Sequence, residues 1–172
     1  MGHMAKSKRE APGGALAASP SHLLHRALQR SLGIYAEEMG EDALTQRQFA
    51  LLSGVAALDQ PSQTDLVGLT GIDRSTLAEL VARLIDKGLL ARERSDADGR
   101  AKTVSLTEAG RVALAAAEPR VRVADKRILS LLPKPKREAL IKLLTRLVET
   151  ADVKPRRKKS KASPDPSQTS DA

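Results

Sequence analysis

The sequence contains no cysteine and no long apolar run, and both absences narrow the possible functions. Without cysteine, disulfide scaffolding, thiol redox sensing and thiolate metal sites are excluded. No apolar stretch approaches the roughly 20 residues that a membrane-spanning helix needs. The start of the chain also lacks the apolar segment of a secretory signal. We therefore expect a cytoplasmic protein with no membrane partner.

Aromatic residues are almost absent: Tyr35 and Phe49 are the only two. The core must therefore be built from aliphatic side chains, which favours packed helices over a large sheet. A length of 172 residues allows one ordinary domain. Met1–His3 resembles a cloning remnant, so we take Met4 as the native start.

The net charge of +8 is concentrated at the two ends of the chain. By sequence, residues 5–10 carry a net charge of about +2, residues 154–161 about +6 and residues 162–172 about −2, whereas residues 11–153 carry only about +2. Basic ends of this kind are typical either of solvated, disordered segments or of segments that attract phosphate. We expect a disordered arm over residues 1–19, a folded domain over 20–153 and a basic, disordered tail over 154–172.

Helix start signals divide the domain into helices, and one proline interrupts the pattern. Thr45 with Gln48, and Ser62 with Asp65, have the spacing of capping boxes. Asp73 and Thr107 also precede helical patterns, so they are predicted N-caps. The helix after Asp73 has the buried stripe Leu77, Leu80, Val81 and Leu84. The helix after Thr107 is long, and Pro119 is expected to kink or divide it.

A short helix, a turn containing Gly71, a longer helix and a hairpin with Asp98-Gly99 at its tip predict a winged helix-turn-helix over about 45–106. The predicted fold class is mainly α with a small β-hairpin wing, flanked by dimerisation helices at about 21–39 and 107–151. Candidate DNA contacts are the outward polar residues of the second helix and the hairpin residues, namely Arg74, Ser75, Thr76, Glu79, Arg83, Asp98, Arg100 and Lys102. The alternative is an ordinary solvated helix face and a hairpin without a partner.

The sequence resembles the multiple antibiotic resistance regulator (MarR) family of bacterial repressors over roughly residues 21–150. The resemblance lies in five segments: Leu44-Thr45-Gln46, Asp73-Arg74-Ser75-Thr76, Arg83-Leu84 with Lys87-Gly88-Leu89-Leu90 and Arg92, Asp98-Gly99-Arg100, and Leu106-Thr107-Glu108-Ala109-Gly110. It implies a homodimer built from the first and last two helices, a wing arginine in the minor groove, and control by a small ligand. Ser75, Thr76, Arg83, Asp98 and Arg100 match the family's DNA-contacting positions, whereas Arg74 and Glu79 follow from helix geometry.

The last helix carries an apolar stripe of Leu140, Leu143, Leu144 and Leu147. A small winged domain encloses its own core, and burying each of these side chains would contribute roughly 1.5–3 kcal/mol. The stripe therefore predicts a dimer interface, with packing inside one chain as the alternative.

In the family, effectors generally bind between the DNA-binding lobe and the dimerisation helices. The candidates near that junction are His22, His25, Arg26, Tyr35 and Arg47. If they bind an effector, their charges favour an anion such as an aromatic acid or its acyl-coenzyme A thioester. His22 and His25 lie one turn apart but have no third ligand, so we expect no metal site.

No glycine loop for phosphate, serine nucleophile motif or metal triad supports an enzyme, and no cofactor is expected. The sequence therefore predicts a ligand-responsive DNA-binding regulator, associated with the bacterial nucleoid. An architectural protein resembling a linker histone, with a winged domain, a basic tail and little sequence preference, is the alternative. Long flanking helices favour the dimeric regulator.

Overall fold

The computed structural model describes residues 14–41, 43–58, 60–94 and 102–151, and it is mainly helical with one antiparallel hairpin. This confirms the predicted fold class. The described residues form two compact units, one ending at Arg137 and the other beginning at Glu138. The elements in chain order are α1 (Gly14–Ala17), α2 (Pro20–Met39), α3 (Gln46–Ala57), α4 (Gln63–Thr70), α5 (Arg74–Asp86), β1 (Leu90–Arg94), β2 (Lys102–Leu106), α6 (Glu108–Ser130) and α7 (Lys134–Ala151).

The predicted helix caps are present as hydrogen bonds. Thr45 and Gln48 form a reciprocal capping box at α3: the Gln48 amide donates to Thr45 Oγ1 over 3.3 Å, and the Thr45 amide donates to Gln48 Oε1 over 2.9 Å. Ser62 and Asp65 form the same arrangement at α4. Each box satisfies backbone amides that the first turn of a helix leaves unpaired.

The winged unit closes around an aliphatic core shared by α3, α4, α5, the hairpin and α6. Antiparallel pairing places Leu90 opposite Leu106 and Arg92 opposite Val104, which fixes the hairpin to this core through Leu90 and Val104. Phe49 packs against the edge of the cluster. The buried members are Leu51, Leu52, Val55, Leu66, Leu77, Leu80, Val81, Leu84, Leu90, Val104 and Leu114.

A second cluster joins α2 to α6, where Ile34, Tyr35 and Met39 pack against Ala117 and Ala124. The small alanines let the two helices approach closely. Polar contacts around this cluster join α2 to the segment before α3 and to α6. The Tyr35 hydroxyl donates to the Leu44 carbonyl over 3.1 Å, and Arg127 binds both Glu37, at 2.7 Å, and Glu38.

Two segments differ from the sequence-based expectation. Pro119 does not divide its helix: α6 runs without interruption from Glu108 to Ser130. Buried residues on both sides of the proline, Leu114 and Ala124 among them, pack against the cores, and this packing outweighs the lost backbone hydrogen bond. The predicted arm contains α1, because its Ala and Leu residues favour helix.

Within the described part of the chain, no helix has the combination of length and apolar character that crossing a membrane requires.

Candidate nucleic-acid interface and adjoining cavity

The outward face of α5 carries the polar residues that the sequence assigned to DNA. Its inner stripe, Leu77, Leu80, Val81 and Leu84, is at most 5% exposed. Arg74, Ser75, Glu79 and Arg83 are exposed and Thr76 is half-buried. The closed core therefore presents one continuous polar helix face to the surroundings.

Asp73 organises the first turn of α5. Its Oδ1 accepts the Thr76 amide over 3.0 Å and the Ser75 hydroxyl over 2.8 Å. Hydrogen bonds from Thr76, and then from Ser75, lower the pKa of Asp73 to about 2. The cap is therefore an ionised carboxylate at neutral pH, and the Ser75 hydroxyl hydrogen is engaged within the protein.

Arg74 does not extend along its own helix. Its Nη2 donates to Thr64 Oγ1 over 3.3 Å, in the first turn of α4. This contact places the guanidinium at the corner where both helices begin. The sequence alone predicts Arg74 on the outer face of α5 and does not indicate this neighbour.

The hairpin that follows α5 provides the wing. Arg92 is exposed on β1, opposite the buried Val104 of β2. Lys102 is the first residue of β2. The predicted wing contacts Asp98 and Arg100 lie outside the described residues.

The five effector candidates occupy different environments. His22 is half-buried and His25 and Arg26 are exposed on α2, whereas Arg47 is exposed in the first turn of α3. Tyr35 is buried between α2 and α6. Its burial, and secondly the negative charge of Asp125, raise the pKa of Tyr35 to about 12.

A cavity of about 540 Å³ lies where the ends of α2 and α5 meet α6, and none of the five candidates lines it. Its polar lining comes from Gln48, Lys87 and Arg120. Arg120 also donates to the Met39 carbonyl over 2.6 Å and so caps the end of α2. The apolar lining residues are Met39, Ala43, Leu44, Leu89, Ala113, Ala116 and Ala117.

Sequence reasoning missed this pair of cations, Lys87 and Arg120. In the sequence, Lys87 takes part only in the Lys87-Gly88-Leu89-Leu90 segment of the family resemblance, and Arg120 belongs to no motif. Arg120 and Met39 are separated by 81 positions in the sequence, so no local pattern joins them. A cavity lined by two cations and by apolar side chains suits a carboxylate attached to an apolar body. Among the described residues, no group of three or more His, Cys, Asp or Glu side chains could hold a metal ion.

Comparison with known proteins agrees with this arrangement. A model of the MarR family matches residues 44–101. The HTH-type transcriptional repressor NicR of Pseudomonas putida is 30% identical over 129 residues, which cover 75% of this chain and 82% of NicR. In structure, BpsR of Bordetella bronchiseptica is 31% identical, with a TM-score of 0.68 over 74% of this chain and 96% of its own. The repressor CouR of Rhodococcus jostii, solved on a 23-mer DNA duplex, is 29% identical, with a TM-score of 0.72 over 80% of this chain and 98% of its own. The chain, with its winged helix-turn-helix between long flanking helices, belongs to the MarR family.

Proposed function

We propose that this protein represses transcription by binding palindromic operators as a homodimer, and that a small anionic effector releases it. The observation that carries the proposal is the exposed polar face of α5, held beside the hairpin by a closed aliphatic core. Membership of a family of transcription regulators supports a non-enzymatic, cytoplasmic role.

The DNA-binding part of the proposal follows from shape and charge. A helix fits the major groove, where each base pair presents a distinct pattern of donors and acceptors. The minor groove has a negative potential that attracts arginine, and the sequence between β1 and β2 contains Arg100. CouR, solved on duplex DNA, and NicR, named a repressor, support this assignment, and the architectural alternative is not favoured.

The homodimer is supported by unpartnered apolar side chains on the helices at both ends of the fold. On α2, Leu23, Leu24 and Leu28 are 45–50% exposed. On α7, exposed apolar side chains recur at helical spacing, and burying them against a second copy would remove this surface from water. A two-fold dimer would hold its recognition helices roughly 34–36 Å apart, which is one turn of the duplex. The exposed apolar residues of α7 are Ile141, Leu143, Leu144, Leu147 and Val148.

The effector part of the proposal rests on the cavity beside Lys87 and Arg120. Lys87 follows the last residue of the recognition helix, and Arg120 lies on α6, which packs against α2. An anion held by both cations would couple the position of α5 to that of α6. BpsR, described with regulation of its DNA binding by 6-hydroxynicotinic acid, supports an aromatic acid as the class, and CouR, solved with p-coumaroyl-CoA, supports an acyl-coenzyme A thioester.

The DNA-binding proposal is tested by competition. A duplex selected from a random pool should bind about a thousandfold or more tightly than random duplex at moderate salt. Arg100→Ala should weaken operator binding about tenfold or more, because it removes the wing contact. Arg122→Ala, at an exposed cation on α6, serves as the control and should bind normally. Near-equal affinity for operator and random duplex would instead support an architectural protein.

The effector proposal is tested by a thermal-shift screen against aromatic acids and their coenzyme A thioesters, since ligands of the native state raise its apparent stability. Arg120→Gln and Lys87→Gln should each abolish the shift. Arg122→Gln, which changes the same charge outside the cavity lining, should keep it. Loss of the shift in His25→Ala, with retention in Arg120→Gln, would place the effector at the α2 candidates instead.

A further inference from the structure

We infer that Ser75 determines part of the operator specificity by accepting a hydrogen bond from the exocyclic amino group of an adenine or a cytosine. The inference rests on the proposed DNA-binding function and assigns a direction to one contact within it. It follows from the partner that already holds the hydroxyl hydrogen of Ser75.

The hydroxyl of Ser75 has a single hydrogen, and that hydrogen points at Asp73. Ser75 Oγ lies 2.8 Å from Asp73 Oδ1, and an ionised carboxylate can only accept. The Thr76 amide, 3.0 Å from the same Oδ1, holds the carboxylate in place. The low pKa of Asp73, about 2, keeps it ionised at neutral pH. The Ser75 hydroxyl can therefore act toward an external ligand only as a hydrogen-bond acceptor, through its oxygen lone pairs.

A hydroxyl that can only accept a hydrogen bond is restricted to the donor groups of a DNA duplex. Phosphate oxygens are acceptors, so a phosphate contact would require the hydroxyl to leave Asp73. In the major groove, guanine offers N7 and O6 and thymine offers O4, all of them acceptors. The donors are the N6 amino group of adenine and the N4 amino group of cytosine. The Asp73–Ser75 pair thus matches the amino-bearing bases.

The position of Ser75 suits a base contact. It is the second residue of α5 and is exposed, and the N-terminal residues of a recognition helix are those that contact base edges. Its neighbour Arg74 is held at the corner with α4 through Thr64, 3.3 Å away. A cation at that corner suits the phosphate backbone, which carries no direct sequence information. Arg74 is therefore the matched control for Ser75.

The first experiment selects binding sites from a random duplex pool with the wild type, Ser75→Ala and Arg74→Ala. Wild type should prefer one base pair, in one orientation, at a single position in each half-site by about threefold to tenfold, the range of one hydrogen bond. The base that Ser75 contacts is the amino-bearing member of that pair, its adenine or its cytosine. Ser75→Ala should lose that preference, and Ser75→Thr, which retains a hydroxyl, should keep it. Arg74→Ala should bind all sequences more weakly with the preference unchanged.

The second experiment removes the amino group from the DNA. Replacing the selected base by its analogue without the exocyclic amino group should weaken wild-type binding by the same factor and leave Ser75→Ala unaffected. Wild-type affinity that is unchanged on the analogue duplex, or a base preference that Ser75→Ala does not change, would overturn the inference. Absence of any sequence preference in the wild type would overturn the proposed function itself.

Discussion

Thr107 Oγ1 donates a hydrogen bond to the carbonyl oxygen of Gly88 over 2.6 Å, which joins the start of α6 to the turn that ends the recognition helix. The same hydroxyl oxygen accepts a hydrogen bond from the Gly110 amide over 3.0 Å, and the Thr107 amide donates to the carbonyl oxygen of Leu89 over 3.2 Å. Because α6 also packs against α2, Thr107 connects these two helices to α5, which carries the proposed DNA contacts.

Replacing Thr107 by valine should therefore destabilise the fold. Valine keeps the shape but removes both the N-cap and the bond to Gly88, and we expect a loss of about 1–2 kcal/mol in the free energy of unfolding. Urea denaturation at fixed protein concentration measures this loss. Thr107→Ser, which keeps the hydroxyl, should remain within about 0.5 kcal/mol of wild type. Equal stability of the two variants would contradict this role.

Gly110 should not tolerate a larger residue. A Cβ at this position would lie 2.1 Å from the carbonyl oxygen of Leu89, which is backbone and cannot rotate away. We expect Gly110→Ala to cost about 2 kcal/mol or more, measured by urea denaturation. Gly68 is the control: it lies inside α4, and a Cβ there meets nothing within 4 Å. Gly68→Ala should be stabilising by about 0.5–1 kcal/mol, since alanine favours helix. Similar effects of both changes would refute the close approach.

Tyr35 should ionise only in strong alkali. The pKa of Tyr35 is raised from 10.0 to about 12, so the folded protein favours the neutral phenol. The stability that this shift contributes is complete below pH 10 and is lost as the pH rises toward 12. Tyr35 is the single tyrosine and there is no tryptophan, so tyrosinate absorbance reports this group alone. Asp125→Asn should lower the pKa in part, because burial is the larger cause. A midpoint near 10 in the folded wild type would show that Tyr35 is accessible to water.

Leu144→Glu should dissociate the proposed dimer, because a charge would replace an apolar side chain at the interface. Sedimentation would then show a monomer at concentrations where wild type is dimeric. Lys142→Glu is the control: it introduces the same acid two positions earlier, on the other side of α7. It should leave the dimer intact. A dimer that persists in Leu144→Glu would exclude this stripe from the interface.

The basic tail should add affinity without specificity. Deleting residues 154–172 removes six cations and should weaken binding to operator and random duplex by the same factor. It should also flatten the dependence of log affinity on log salt by up to about one unit per lost phosphate contact. A full-length variant with glutamine at these six cations separates charge from length. A loss confined to the operator would contradict the prediction.

Much of the fold could be predicted because its signals are local. Each N-cap, such as Asp73, bonds to an amide three residues away, and each buried stripe repeats within a turn of helix. The exposed face of α5 follows by elimination once Leu77 and its stripe are assigned to the core. One exception was Pro119, where a kink or a division was expected and packing on both sides kept one helix. Another was α1, in the segment expected to be disordered.

Hydrogen bonds and periodicity within about four residues made most helices, both strands and the polar face of α5 predictable from the order of the amino acids. Which distant residues share a site emerged only from the packing of the helices. It brought Arg120 to the carbonyl of Met39 and set Lys87 on the same cavity, and it turned Arg74 toward Thr64. Such pairs depend on how rigid helices cross after packing, which no spacing along the chain encodes.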